Sequence, residues 1–185
     1  MRAEHDHISL TDTLASTRAH DGRTLLELSR TDPTHAGMLL VFLRHSGCTF
    51  CREALADLAK KRDDLKSRRV RLVLVHMGPE NEQTAAHFAK YGLQSHPRVS
   101  DPDRALYRAF DLRRGSFSQL FGLKCFLRGL RAAIVGRHWV GRLVGDGFQM
   151  PGVFLVRDGV IAQAFRHRSA ADRPDYCEIA TPATA

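Results

Sequence analysis

Met38-Leu39-Leu40-Val41-Phe42-Leu43 is an unbroken apolar run that leads through Arg44-His45-Ser46-Gly47 into Cys48-Thr49-Phe50-Cys51. From Cys51 to Ser67 the pattern changes: Ala54, Leu55, Leu58, Ala59 and Leu65 recur among lysines and arginines. That spacing predicts an amphipathic helix. Val70-Arg71-Leu72-Val73-Leu74-Val75 then reads as a second, buried strand. Strand, helix and strand within residues 38–75 predict a right-handed βαβ unit with parallel strands. Two thiols stand where its first strand hands over to its helix.

Upstream, residues 1–36 are polar, with a polar arm expected over 1–20, a turn at Asp21-Gly22 and a short element at Leu25-Leu26-Glu27-Leu28. Asp32-Pro33 and Gly37 punctuate the loop before the first strand. Downstream, Glu80 to Tyr91 reads as a helix ended by Gly92 in a left-handed cap, Pro97 to Ser100 as a short strand and Asp103 to Phe110 as a short helix. Gly152 to Val156 and Val160 to Phe165 flank Asp158-Gly159, the strongest hairpin signal in the chain. Thr181 to Ala185 reads as a frayed tail. The fold class is α/β, a central mixed sheet flanked by helices over residues 21–180. A parallel βαβ half joined to an antiparallel hairpin half is the thioredoxin-like arrangement. The cysteine pair lies where that fold places a reactive motif.

Residues 113–145 form a separate stretch, read as a basic amphipathic helical insertion before the hairpin. Between Leu112 and Gly145 there is no Asp or Glu, while Arg113, Arg114, Lys124, Arg128, Arg131, Arg137 and Arg142 accompany an apolar stripe from Phe117 to Ile134. The bland expectation is a helix that covers the sheet or groove, its arginines snorkelling into solvent. The functional one is a homodimer or partner surface, with membrane-surface contact a weaker third.

The chain has 185 residues, 43% hydrophobic and 26% charged, the profile of one globular domain that needs no disulfide staples. A formal charge of +8 steers acidic partners. It comes without the basic runs or interleaved aromatics of a nucleic-acid module, so no nucleic-acid partner is expected. The N-terminus lacks a signal-peptide apolar region and no run of eighteen apolar residues occurs; no integral membrane segment is expected. With four cysteines and no secretion signal, a reducing, cytoplasmic setting is expected, where CxxC means redox or metal chemistry rather than a structural bridge.

Helix amides at the start of the predicted helix favour thiolate at Cys48 and, to a lesser degree, Cys51, and Arg44, His45 and Arg52 add positive potential. Either sulfur can resolve an oxidised state of the other within one turn. Zinc needs a second ligand pair. Cys125 and Cys177 are single and distant, so no metal is expected. Cys125, within the apolar stripe, reads as a buried small hydrophobe. Cys177 is an extra resolving thiol or a bystander.

The segments VFLRHSGCTFC (41–51), RGSFSQLFGLKCFLRGL (114–130), GDGFQMPGVFLVRDGVI (145–161) and AFRHRSAADRPDY (164–176) give the chain, over about residues 20–178, a resemblance to a known family. It resembles the peroxiredoxin-like branch of the thioredoxin superfamily (AhpC/TSA-type, related to selenoprotein L and the peroxiredoxin-like-2 proteins). The resemblance implies a thioredoxin fold and an antioxidant thiol oxidoreductase that reduces a peroxide or disulfide substrate. It implies no organic cofactor, and electrons from an external thiol donor such as thioredoxin or glutathione. In thioredoxin-like proteins a cis proline packs beside the CxxC, presents a backbone edge to substrate and blocks metal capture. The same is expected of Met150-Pro151, which with Thr49 and Phe50 are the candidate substrate-positioning residues. Laid on the peroxiredoxin pattern PxxxTxxC, the chain has Arg44 at the proline, Cys48 at the threonine and Cys51 at the peroxidatic cysteine. Where thioredoxins carry a tryptophan before the first cysteine, this chain has Gly47. Thioredoxin logic makes Cys48 the nucleophile and Cys51 the resolver, with the helix dipole slightly favouring it. Peroxiredoxin logic makes Cys51 the attacking thiolate. Arg142 is the candidate peroxide-pocket arginine. The competing function is a non-catalytic redox sensor or binding module on the same fold.

Overall fold

A computed structural model describes residues 9–44, 49–116 and 146–181. Its described elements run α1 (Leu10–Ser16), α2 (Leu25–Ser29), β1 (Gly37–Phe42), α3 (Thr49–Lys60), α4 (Arg62–Ser67), β2 (Val70–His76), α5 (Glu82–Ala89), β3 (Arg98–Ser100), α6 (Ala105–Ala109), β4 (Gly152–Arg157), β5 (Val160–Arg166) and α7 (Tyr176–Ile179). The strands form one sheet in the order β3-β2-β1-β4-β5. β1 runs parallel to β2 and β2 to β3, whereas β4 is antiparallel to both β1 and β5. This is the mixed sheet expected from the sequence, with β1 at its centre.

Every residue of β1 is buried, because helices cover both faces of the sheet. Leu39 and Val41 point into one cluster with Leu55 and Leu58 of α3, Leu65 of α4, Phe88 of α5 and Tyr176 of α7. Met38, Leu40 and Phe42 point into the other, with Leu14 of α1, Leu25 and Leu28 of α2, and Leu106 and Tyr107 of α6. The period-two alternation of a strand divides one apolar run between two cores. Phe42 meets Tyr107, Phe110 and Phe154 with ring centroids 5.0, 5.1 and 5.6 Å away, the tilted and edge-on contacts that aromatic quadrupoles favour.

Local signals explain the smaller elements. Thr24 and Glu27 form a reciprocal capping box that starts α2. The single helix read from Cys51 to Ser67 is broken into α3 and α4 at Lys61 (φ −90°, ψ 7°). Gly92 takes φ +68° and lets the Leu93 amide return to Phe88 at the end of α5. Leu14 of α1 is fully buried and Ala19 nearly so. Within the stretch read as a polar arm, these two side chains thus pack into the core while most of their neighbours stay at the surface.

The hairpin forms as read. Asp158 (φ +49°) and Gly159 (φ +81°) are the left-handed pair that a two-residue turn between right-twisted strands requires. The turn is held to α2: Asp158 carboxylate oxygens accept from the Thr31 amide (2.9 Å) and hydroxyl (2.8 Å), and the Gly159 amide donates to Ser29 Oγ (3.0 Å). The two bonds from Thr31 keep the Asp158 carboxyl below its ordinary pKa. A bulge between Leu155 and Val156 lets Ile161 pack in one core and Phe165 in the other, although they are four residues apart on one strand.

Gly159→Ala places a Cβ 3.1 Å from Leu26 Cδ1 in a left-handed conformation and is expected to cost about 1–2 kcal/mol in urea unfolding. An unchanged midpoint would contradict the turn assignment. His76 is buried and His87 and His96 half-buried. Burial, aided by Arg98, Arg52 and Arg62 respectively, holds all three below the ordinary imidazole pKa, although Glu80 pulls His76 the other way. The unfolded chain therefore binds more protons just below pH 6.5, and stability must fall as pH drops from 7 to 5. The depressed carboxyls, such as Glu27 and Asp175, lose their contribution only at lower pH. Replacing all three histidines with asparagine is expected to flatten the pH 7 to 5 profile; an unaltered slope would refute this origin.

Candidate active site

The site is built where β1 ends. Tyr107, fully buried on α6, donates its hydroxyl to the Leu43 carbonyl and, at 3.4 Å, to that of Val75. Burial first, then the charges of Cys51 and Asp101, hold this phenol protonated well above its ordinary pKa, so it acts as a permanent donor. Asp101 sets its position by accepting amides of Ala105 (2.9 Å), Leu106 (2.9 Å) and Tyr107 (3.2 Å) at the start of α6. The chain leaving β1 is thereby pinned one residue before Arg44.

Arg44 is 5% exposed. Its amide donates to Cys51 Sγ at 3.2 Å. Its guanidinium turns to the segment before β4, donating to the Gln149 carbonyl at 3.2 Å and to the Gly147 carbonyl. Expected only as a source of positive charge, Arg44 thus ties three pieces of chain together. Gln149 is itself buried and donates to the Leu112 carbonyl at 2.8 Å.

Cys51 is the third residue of α3 and 5% exposed. An N–H donor on its sulfur and the amide end of a twelve-residue helix both favour negative charge there. A cavity of about 30 Å³ opens beside it, lined among others by Phe50, Cys51, Asp57, Pro151, Arg173 and Tyr176. That volume holds one or two water-sized molecules. Among its lining residues, Arg173 donates Nε to Asp57 Oδ2 at 2.6 Å, pairs a second nitrogen with Asp57 Oδ1, and meets Glu53 Oε1 at 3.2 Å. Burial, then Asp57 and Cys51, hold Tyr176 protonated above the ordinary phenol range.

Of the residues singled out from the sequence, Phe50 packs against both the cluster containing Cys51 and a small cluster of Met150, Ala170 and Ala171. Pro151 lines the cavity and Thr49 is buried at the helix start. Arg52 lies near His87 and Tyr91: burial and then the Arg52 charge lower the His87 pKa, whereas burial raises that of Tyr91 against the opposing Arg52 charge. The cis Met150-Pro151 bond expected from the sequence is not found: every described peptide bond is trans. Trans is the lower-energy isomer by about 0.5–1 kcal/mol, and a proline just ahead of β4 removes no ladder donor. Cys48, His45, Cys125, Arg142 and nearly all of the 113–145 insertion (residues 117–145) lie outside the described residues.

Cys177, on α7, has Lys61 Nζ 3.9 Å away, and Lys61 also meets Asp175 at 3.3 Å. Cys51 is in the first turn of α3 whereas Lys61 follows its last residue, so about 15 Å of helix rise separates the two neighbourhoods. Among the described residues no group of three or more metal-ligating side chains occurs, and no helix is long and apolar enough to cross a membrane.

Tyr107, Arg173, Asp57 and Tyr176 were not assigned from the sequence. One signal was present: Glu53 and Asp57 stand four apart on one helix, a like-charge spacing that calls for a cation from elsewhere. Arg173 supplies it.

Comparison with known proteins agrees with this architecture. The family model described as AhpC/TSA antioxidant enzyme matches residues 57–170, beginning beyond Cys51. The chain is 29% identical over 150 residues to the chloroplastic thioredoxin-like protein AAED1 of Arabidopsis thaliana, covering 76% of this chain and 59% of that protein. It is 33% identical over 78 residues to human peroxiredoxin-like 2C, covering 42% of this chain and 34% of that one. It therefore spans less than two thirds of the length of these relatives. Among solved structures, the bacterioferritin comigratory protein of Xanthomonas campestris, which has alkyl peroxide reduction activity, superposes with a TM-score of 0.55 at 19% identity, covering 84% of this chain and 82% of that one. Peroxiredoxin Q of the same organism gives 0.54 at 20% identity, with the same coverages. At these identities the structural likeness speaks to fold. With the family model covering more than half of its length, the chain belongs to the AhpC/TSA antioxidant enzyme family, as a peroxiredoxin-like protein of the thioredoxin superfamily.

Proposed function

We propose that the protein is a thiol peroxidase in which Cys51 attacks a small peroxide and Cys48 resolves the product. The observation that carries this reading is the placement of Cys51: a buried sulfur that accepts the Arg44 amide and faces a cavity of about 30 Å³. A hydroperoxide group enters a space of that size. A protein disulfide needs a sulfur it can approach in line from outside, which favours peroxide over disulfide as the substrate.

In the first step the Cys51 thiolate attacks the terminal oxygen of ROOH. An S–O bond forms, the O–O bond breaks, and the leaving alkoxide takes a proton to give ROH and a Cys51 sulfenic acid. The Cys48 thiol then displaces water, forming the Cys48–Cys51 disulfide that the three-residue spacing permits. Two electrons and two protons from an external dithiol, or from two low-mass thiols, restore the pair. The protein's own contributions are positional: Tyr107 fixes Leu43, Arg44 fixes the loop end against Gln149, and both hold the donor aimed at the sulfur. Pro151 and the Phe50–Met150 contact restrict approach to small molecules. No metal or organic cofactor takes part in this scheme, and a reducing compartment such as the cytoplasm supplies the donor.

Cys51→Ser is expected to lower peroxide consumption at least about 1000-fold. Cys48→Ser should leave the first oxidation within about threefold while abolishing the intramolecular disulfide. Stopped-flow oxidation with one equivalent of peroxide, read beside non-reducing mass analysis, separates the two. The reverse pattern, with Cys48 indispensable to the first step, would exchange the roles. Oxidation of both variants no faster than a free thiol would remove the enzymatic reading.

A further inference from the structure

A second, larger cavity of about 260 Å³ is lined by Arg104, Arg108, Asp111, Leu112, Arg113, Arg114 and Gln149. We propose that this arginine-lined cavity is a binding site for a small organic polyanion bearing phosphate or carboxylate groups.

Four guanidiniums surround the space and two carboxylates answer them. Asp146 takes Arg104 and, at 2.9 Å, Arg114; Asp111 takes Arg113 at 3.0 Å. Among the described residues, Arg108 meets a backbone carbonyl, that of Asp103, at 2.7 Å. Among the described residues, four positive against two negative groups leaves two positive charges at this cavity. The Arg113 and Asp111 side chains are 85% and 61% exposed, and such surface pairs are worth roughly 0–1 kcal/mol, so an incoming anion exchanges for Asp111 at little cost. Guanidinium forks match the paired oxygens of phosphate and carboxylate.

The walls are fixed in place. Arg114 and Gln149 form a β-bridge, with the Gly115 amide on the Phe148 carbonyl at 2.7 Å and the Met150 amide on the Arg113 carbonyl at 3.2 Å. Arg114 also stacks over Phe148, 5.6 Å from its centroid. Leu112 closes the floor, buried in the core cluster of Phe42 and Phe110. The cavity is several times larger than the one beside Cys51 and is lined by charge rather than by a sulfur, so its occupant is not the peroxide. Gln149 lines this cavity and also accepts Arg44 through its carbonyl; the site thus adjoins the segment that holds Arg44.

Isothermal titration of the full chain with inorganic phosphate and, separately, citrate in 0.15 M sodium chloride tests the site. Saturable one-to-one binding of either probe is expected, phosphate alone or citrate alone identifying which oxygen group is preferred. Combined Arg108→Ser and Arg113→Ser should weaken it at least about threefold. Asp146→Asn, which removes the competing carboxylate, should tighten it by a similar factor. Neither probe binding saturably, or binding that neither set of replacements alters, would overturn the proposal. An Arg23→Ser control, at an exposed arginine paired with Asp21, should change nothing; equal weakening there would show that net charge alone attracts the anions.

Discussion

The bond from the Arg44 amide to Cys51 Sγ exists because a strand buried on both faces delivers Arg44 to a fixed point. β1 can shift along neither face without disturbing a core: Leu39 and Val41 are committed to one, Met38, Leu40 and Phe42 to the other. Its ladders to β2 and β4 fix its register as well. Tyr107 then holds the residue after the strand, and the helix that follows packs Leu55 and Leu58 against the same core. The sulfur is placed by the packing of the whole sheet rather than by a flexible loop, as a preorganised nucleophile requires.

Much of this was legible in the chain before any coordinate. The run from Met38 to Leu43 is too continuously apolar for a one-sided strand, and β1 is buried on two. Asp158-Gly159 between two apolar runs specifies a turn that few other dipeptides adopt, and both residues have the required positive φ. The signals that failed share a cause, namely contacts between residues distant in sequence. The wall of the Cys51 cavity joins Asp57 to Arg173, 116 positions apart, and Tyr107 reaches Leu43 across 64. No periodicity records such pairs. Leu14 is another case: one buried side chain among polar neighbours looks like surface until the helix is docked. The isomer of Met150-Pro151 was read from analogy, and analogy carried a feature of related folds that this backbone does not adopt.

The two cavities divide the end of the sheet by chemistry. One is small and holds a sulfur among apolar and paired side chains; the other is larger and ringed by arginines. The segment Asp146 to Pro151 lies between them, its carbonyls turned to Arg44, its Asp146 carboxylate to Arg104 and Arg114, and its proline to the thiol cavity. Small changes in this one segment therefore reach both sites, while the cores beneath them stay fixed.

The central claim is that Cys51 is the sulfur that peroxide meets first. The direct measurement is to treat the fully reduced wild-type chain with one equivalent of hydrogen peroxide in the presence of a sulfenic-acid trap, then locate the adduct by peptide mass spectrometry. The account predicts the adduct on Cys51, formed before any disulfide accumulates. An adduct appearing first on Cys48, with Cys51 unmodified, would contradict it.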